Sequence, residues 1–559
     1  MANYTRDTPK EVQLPVRLPL VGVLNQRSDS GGIDSRLING YVEKGQDGEI
    51  RVTKRPGLSV AYTSTGVGYG CAFLNNTLYY VFGTALIGTP IGGSPIGIAT
   101  VMAGYKYTFR EVSLGLSARG VLLTNGIVAY VIEPGGGARQ ISVAGTAVGP
   151  VTCSITNTST TVTTADTTLF TKYSDVTGIG IAANTTIASI DSSTQFTLSI
   201  AATATNASAA LSFTLAGLPT YFGAPSNSQL WAPQAVELNK SVYMVSIHSE
   251  LVGSDPDDPF AWNPLNKIVA YADLGLSIAL SKQLSYPIVF KGTNMEFFRD
   301  EGNSPGSPLA RIEGMRADVG CAYCYALQEI DDKLLWVSSA SISPPSVWML
   351  HNGKYQEVAT PAVKRLLDGI TTLNTFAFGC EGHLFYCINL TGGSNTLVYD
   401  ITSDYWSYWT SASGGQLPFV AAAYSFNALT GGARHVYLQH ATDGKIYELD
   451  LANVTDVGST FDMDIYPPEF DANMLTSKYL SKMYVSGDQQ TGSILKVRVN
   501  DNNQQPGSWT NWREFDLSSA RPRIDECGSF YKRSFHFRHS SATRCRIEAV
   551  EMDLQPGTL

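Results

Sequence analysis

Trp348 to Val358 read WMLHNGKYQEV. A strand-type apolar run comes first, Asn352-Gly353 follows, and a second run carries Tyr355 and Val358. Asn-Gly favours a tight hairpin because both central residues of such a turn take positive φ. The same grammar returns in LLTNGIVAYVI (Leu122–Ile132) and LQHATDGKIYEL (Leu438–Leu449). Around these lie further short β-branched and aromatic runs: TLYYVFG from Thr77, SVYMVSI from Ser241, KLLWVSSA from Lys333 and HLFYCINL from His383. Gly, Asn, Asp and Pro punctuate them, so they read as antiparallel strands. Hairpins succeeding one another at a loose spacing of about 40–50 residues predict a β-propeller. The units share too little sequence for the blade number to be read.

One segment has a helical pattern. In TPAVKRLLDGI, Thr360 stands at an N-cap position, Val363, Leu366 and Leu367 share one side, and Gly369 ends the run. From Val151 to about Gly217 the composition shifts to Thr, Ser and Ala with hardly any charge. TTIASI and QFTLSI within it alternate apolar and polar residues, which buries one face of a sheet. This predicts a small inserted β-domain, and GIGIAANTTIASIDSSTQFTLS resembles the Ig-like or sandwich modules inserted into many phage structural proteins. The last hundred residues alternate strongly and predict a β-sandwich. In CRIEAVEMDL, Cys545, Ile547 and Ala549 share a face, and Met552 and Leu554 join them only if a bulge shifts the phase. The expected organisation is an all-β chain. Residues 1–60 form an arm and hairpin, 61–150 the first part of the propeller and 151–217 the insert. Residues 218–455 form the rest of the propeller and 456–559 the C-terminal sandwich.

The 559 residues are only 16% charged and carry a formal net charge of −9. General nucleic-acid binding is disfavoured, because neutralising phosphates requires Lys and Arg. No apolar h-region opens the chain, which argues against a secretory signal. No charge occurs from Pro56 to Tyr105, but Gly and Pro recur through Gly83–Tyr105, so strands and turns are expected there rather than a membrane span. The eight cysteines show no regular spacing and fit thiols made in a reducing cytoplasm.

Motifs of enzymes and metal sites are weak. Cys321-Ala-Tyr-Cys324 has no second pair to complete a zinc site, and the spacing of Cys380 and Cys387 around His383 matches no zinc module. Asp255, Asp257 and Asp258 lack the Gly and Glu positions of a calcium loop and read as a stiff turn, with Trp262 pinning it to a blade. Pro134–Gln140 is Gly-rich without a Gly-Lys-Ser/Thr ending. His536 and His539 point to opposite faces of one strand. The sequence predicts no enzyme, no cofactor and no metal.

The stretch RLINGYVEKGQDGEIRVTKRPGL (Arg36–Leu58) resembles the opening of the packaged-DNA stabilisation proteins, the tail nozzle or hub proteins of short-tailed bacteriophages. Ser241–Ser281, YPIVFKGTNMEFFRDEGN, VWMLHNGKYQEVATPAVKRLL and LVYDITSDYWSYWTS continue the resemblance in order. It covers roughly residues 36–150 and 217 to the end; the Thr-rich insert departs from it. The resemblance implies a propeller body, a further β-domain and a homo-hexameric ring in the virion tail, made in the host cytoplasm. That ring would sit below the portal and its adaptor, contact tail fibre, spike or needle proteins, retain the genome and let double-stranded DNA pass without sequence-specific binding. Two readings of the opening stretch stand side by side. Gln46-Asp47-Gly48 turns a hairpin that caps the propeller, or Arg36, Asn39, Tyr41, Lys54, Arg55, Pro56 and Gly57 form a partner-binding corner in which Lys54 and Arg55 meet an acidic neighbour. The alternative function is a carbohydrate-binding or depolymerising tail protein on a propeller, with sugars stacking on aromatics among Tyr405, Trp406, Tyr408 and Trp409; Trp406 and Tyr408 share one strand face and Tyr405 and Trp409 the other, so half of them are expected in the core. A lectin-like propeller unrelated to phage is the third reading.

Overall fold

The computed structural model describes residues 15–26, 33–45, 48–115, 118–218, 229–271, 275–339, 344–370, 372–427, 433–474, 476–502, 504–505 and 507–556. Its dominant unit is a ring of antiparallel meanders. Six four-stranded sheets and the first four strands of a ten-stranded sheet make seven blades among the described residues. Their inner strands begin at Gly68, Thr108, Trp231, Ser277, Gln328, Leu373 and Phe419, so blades 1–7 are numbered in that order.

The apolar faces of neighbouring blades meet and form the core. Val81 and Leu86 of blade 1 pack with Val121, Leu123 and Ile132 of blade 2. Leu122 and Val131 of blade 2 pack with Met244 and Trp262 of blade 3. The series returns to its start where Ala421, Ala423 and Tyr437 of blade 7 meet Cys71, Leu78 and Tyr80 of blade 1. Each innermost strand has one ladder partner, so its other edge is left short and turned toward the centre of the circle.

The circle is closed by the N-terminal region. Gly57–Thr63 is the outermost strand of blade 7, antiparallel to Lys445–Asp450, with Leu58 opposite Leu449 and Tyr62 opposite Ile446. The expected hairpin ahead of the first blade is therefore followed by a strand of the last one. A pairing across almost four hundred residues has no local signature.

Gly40–Lys44 and Ile50–Lys54 do pair as a hairpin, with Gly40 opposite Lys54 and Lys44 opposite Ile50; Gln46 and Asp47 lie outside the described residues. The hairpin belongs to a β-sandwich. One of its sheets contains the hairpin, Arg546–Pro556, Lys478–Gly487 and Arg523–Asp525. The other runs on from the last strand of blade 6, Tyr405–Trp409, through Ile33–Ile38 to Met463–Tyr466, Ser534–His539, Ile494–Asn500 and Arg513–Asp516. Leu37, Val42 and Val52 from the start of the chain pack with Ile465, Leu480, Phe535, Phe537 and Met552 from its end. Strands expected to form an N-terminal arm thus complete the sandwich. The bulge in the final strand sits at Glu548: Ser486 faces Ala549 while Gly487 faces Ile547. The phase shift packs Val550 and Met552 together with Cys545 and Ile547 in the sandwich core, while Ala549 is buried outside that cluster.

Of the three turns carrying the hairpin grammar, Asn352-Gly353 has both residues at positive φ, 50° and 74°. Asn125 instead accepts from the backbone N–H groups of Ile127 and Val128 through its side chain. Two-residue turns with both φ positive also occur at Asn75-Asn76, Asn239-Lys240 and Glu381-Gly382. The helix is Pro361–Leu367; Thr360 Oγ1 accepts from the Val363 N–H at 3.3 Å, and Val363 and Leu367 are buried.

The insert is a six-stranded sheet within residues 147–214. Its edges meet where Val176 N donates to Thr185 O and Ile187 N to Ser174 O, both at 2.9 Å. Ile155, Val162, Phe170, Phe196, Leu211 and Phe213 fill it. Leu215 N donates to Thr146 O at 2.8 Å, and Val143 bridges Leu218, so entry and exit lie side by side. Asp255 of blade 3 tethers the insert by accepting from Lys172 Nζ at 2.5 Å and Tyr173 OH at 2.9 Å. Replacing residues 147–214 by a two-residue Gly-Ser link is expected to leave the propeller folded. The near-ultraviolet circular dichroism of blades and sandwich should persist, with a single unfolding transition within a few degrees of the parent. Loss of that signal would show that the insert supports the ring.

Candidate functional site

The Arg36–Leu58 stretch lies where propeller and sandwich meet. Asn39 is buried at φ 54°, a left-handed conformation that Asn tolerates. Its Nδ2 donates to Thr410 Oγ1 and Asp462 O, both at 2.8 Å, and its Oδ1 accepts from Thr410 N at 2.7 Å and Arg55 Nε at 3.1 Å. Arg55 is 3% exposed. Its guanidinium holds Asp456 bidentately at 2.6 and 3.0 Å, donates to the carbonyls of Thr410 and Pro56 at 2.9 Å, and lies 3.7 Å over the Phe461 ring. All five guanidinium N–H groups are thereby used.

Lys54 is likewise buried. Its Nζ donates to Ser541 O at 3.1 Å and lies 3.5 Å from His539 Nδ1. Tyr41 packs edge-on against His383 and Phe385. Gly57 N donates to Asn453 O at 2.8 Å, and a Cβ on Gly57 would lie 2.3 Å from Thr455 O. Arg36 stands apart, with its guanidinium 3.9 Å over Tyr466 on the other face of the strand. The charge of Arg55 is thus met inside the chain by Asp456, and Lys54 is buried on a backbone carbonyl rather than presented at the surface. Thr410, Asp456, Phe461 and Asp462 were invisible from the sequence, because only the fold brings them to Asn39 and Arg55.

Burial, aided by Arg55, pushes the Lys54 ammonium down to about 8, and burial beside Lys54 pushes His539 down to about 3. Above pH 8 the unfolded chain therefore binds more protons at Lys54 than the folded one, and the contribution of Lys54 to stability rises with pH. Its window runs from about 8 to the ordinary lysine range near 10.4, while the buried thiols of Cys71, Cys321, Cys324 and Cys545, pushed up to about 12, act in the opposite sense as the unfolded chain's thiols ionise. Lys54→Met should give urea-denaturation midpoints with a smaller pH slope than the parent's between about pH 8 and 10, and identical slopes for variant and parent would contradict the burial of Lys54.

The second polar constellation occupies the centre of the propeller. A cavity of about 400 Å³ is lined by Lys106, Arg110, Gln234, Tyr325, Gln328 and Thr375, among others. Lys106 Nζ donates to Asn374 Oδ1 and Thr375 O, both at 3.0 Å, and Tyr325 OH donates to Lys106 O at 3.0 Å. Gln229 reaches Tyr325 OH at 2.9 Å, Gln328 reaches Thr375 Oγ1 at 3.0 Å, and Asn374 reaches Phe419 O at 3.0 Å. This belt ties together segments next to or within blades 2, 3, 5, 6 and 7. Its sequence signal was Lys106 itself, the first charge after the neutral stretch from Pro56 to Tyr105.

The remaining motifs have structural partners. Asp257 accepts from Ser113 and Lys240, Asp258 from the Phe260 N–H, and the Trp262 indole donates to Pro259 O. Burial pushes the thiols of Cys321 and Cys324 up to about 12. His383 lies 2.7 Å from Asp400, and Pro134–Gln140 forms a turn of blade 2 with Gly135 and Gly136 at positive φ. His536 stacks on Tyr466 at 3.9 Å and contacts Asp464, while His539 contacts Ser493, on opposite faces as expected. No His, Cys, Asp or Glu cluster suited to a metal occurs among the described residues, and no helix among them is long and apolar enough to cross a membrane. Trp406, Tyr408 and Trp409 are 3%, 7% and 1% exposed, and Tyr405 is half-buried with its hydroxyl on Gly22 O. None of the four presents an open ring face for a sugar.

These features define a seven-bladed propeller joined to a β-sandwich. A family model described as Bacteriophage P22 Gp10, beta-propeller, of the Phage_stabilise family, matches residues 169–454, just over half of the chain. The chain belongs to this family and is a phage structural protein of the packaged-DNA stabilisation type. Solved structures similar to it include a streptogramin B lyase, with 8% identity, coverage of 74% of this chain and 98% of that one, and a TM-score of 0.37. The computationally designed Ika8 protein is 12% identical, with coverage of 70% and 99% and a TM-score of 0.33. The N-terminal domain of Nup159 is 8% identical, with coverage of 74% and 97% and a TM-score of 0.35. No curated protein sequence matches the chain.

Proposed function

We propose that copies of this chain form a closed sixfold ring in the virion tail, below the portal and its adaptor. The ring retains the packaged genome and its lumen becomes the ejection channel. The family match over residues 169–454 is the observation that carries this reading. The internal geometry is consistent with it. The propeller's own cavity, about 400 Å³ and crossed by the Lys106 belt, is of small-ligand size. A duplex whose major groove alone is about 12 Å wide does not enter it, so a conduit requires several subunits. Ring interfaces are heterologous and must close. A chain of net charge −9 lets a polyanion slide where a basic lumen would hold it.

Within this assembly, Asn39, Tyr41, Lys54, Arg55, Pro56 and Gly57 act from inside by fixing the sandwich to the propeller, and Arg36 supports the adjoining sheet face. Adaptor and fibre, spike or needle proteins then meet surfaces whose mutual orientation this junction sets. Particles assembled without the chain should fill with DNA and then lose it, leaving the genome open to nuclease. Particles that retain protected DNA without it would contradict the proposal.

A further inference from the structure

We infer that the outer face of the sandwich sheet that runs on from blade 6 is a docking surface for an acidic segment of a partner protein, with Arg36 and Arg498 receiving its carboxylates. One row of side chains crosses four strands of that face. Arg36 stands opposite Tyr466, Tyr466 stacks on His536 with ring centroids 3.9 Å apart, and His536 stands opposite Arg498. Three strand spacings of about 4.8 Å set the two arginines roughly 14 Å apart.

Rings hold both guanidiniums in place. Arg36 lies 3.9 Å over Tyr466, and Arg498 lies 4.5 Å from the centroid of Trp512 and 5.0 Å from that of Trp509. Arg498 Nε donates to His536 Nδ1 at 3.0 Å, so the neutral ring donates from Nε2 to Asp464 at 2.7 Å. The arginines themselves are half-buried. Nη1 and Nη2 of both have no acceptor among the described residues and stay open to solvent.

The carboxylates nearby are already engaged. Asp464 accepts from Arg538 at 2.7 and 3.2 Å as well as from His536, and Asp462 lies 3.4 Å from Arg538. Glu514 lies 3.2 Å from Lys496, and Asp501 accepts from Arg533 at 2.7 and 2.8 Å. Two ordered cations are thus left without a counter-charge, in a chain whose net charge is −9. A guanidinium fixed by stacking and open along its Nη edge suits a carboxylate, which accepts from both nitrogens. A duplex fits this face less well. Its phosphates form an unbroken track, whereas Asp462, Asp464 and Glu514 interleave with the cations here. Anchors this far apart also exceed the reach of a small acid, so the occupant is a protein segment with two separated carboxylates.

The test is titration of the full chain at low ionic strength with a blocked peptide, Glu-Thr-Thr-Thr-Glu, followed by calorimetry and tryptophan fluorescence. Its two carboxylates stand about 13 Å apart when the peptide is extended. The expected result is saturable binding, at least fivefold tighter than that of Gln-Thr-Thr-Thr-Gln or of Glu-Thr-Glu, which is too short to span the pair. Arg36→Gln and Arg498→Gln should each weaken it at least fivefold. Lys496→Gln, on the same face but paired with Glu514, should leave it unchanged. Arg36 makes no hydrogen bond within the described chain, so Arg36→Gln decides the matter if Arg498→Gln does not fold. Equal affinity for the Glu and Gln peptides, unaltered binding in Arg36→Gln, or an equal loss in Lys496→Gln would overturn the assignment. So would a short DNA duplex that binds more tightly than the peptide with the same dependence on Arg36. The titration uses no particle, so its failure leaves the ring reading standing, and particles without a ring leave the peptide result standing.

Discussion

Arg55→Leu is expected to lower folding stability by about 3–5 kcal/mol, the cost of breaking a buried ion pair from one side. The variant leaves Asp456 without its bidentate partner and removes donors from Thr410 O, Pro56 O and Asn39 Oδ1. Arg55→Glu should cost more, because it sets two carboxylates against each other. Denaturant midpoints measure both. Removing both members in Arg55→Leu/Asp456→Leu should cost less than the sum of the singles, since no uncompensated charge remains. A loss below about 1 kcal/mol in Arg55→Leu would mean that the guanidinium is free to serve a surface partner, as the opening stretch had suggested from sequence.

Trp409→Ala should cost a similar amount, about 3–5 kcal/mol, for deletion of a large core side chain. Trp409 is 1% exposed and packs against Phe378 and Phe385 within blade 6. Its indole N–H donates to Gly40 O at 3.2 Å, so it also tethers the hairpin to the propeller. Hydrogen exchange at Gly40–Lys44 should therefore accelerate in Trp409→Ala more than exchange in blades 2 and 3. Trp409→Phe keeps most of the volume and loses only the tether, at about 1 kcal/mol. Uniform acceleration across all blades would separate Trp409 from the junction.

What was legible in the sequence is what local chemistry decides. Strand runs, hairpin punctuation and the Thr360 cap follow from neighbours in the chain, so the all-β class and the short helix could be read directly. The alternation of TTIASI and QFTLSI identified a sheet in a segment whose composition alone suggested a linker. Non-local pairings were not legible. Nothing near Gly57 announces that it pairs with Asp450, or that Ile33–Ile38 lies between blade 6 and the sandwich. The same limit governed the site. Lys-Arg-Pro-Gly in a charge-poor chain looks like a surface feature, because Asp456 and Asp462 stand about four hundred residues away. The family, by contrast, was legible through the order of many weak fragments, most of which are blade strands and their turns, while the first of them is the sandwich hairpin.

A ring of these chains in the tail is tested most directly by electron microscopy of the assembled particle. The predicted result is a sixfold ring on the tail axis below the head. Each subunit should show a seven-bladed propeller with the sandwich fixed at blade 6 and the lumen formed between subunits. A single copy or a trimer displaced from the axis on a fibre, or particles whose tail lacks the chain, would contradict it.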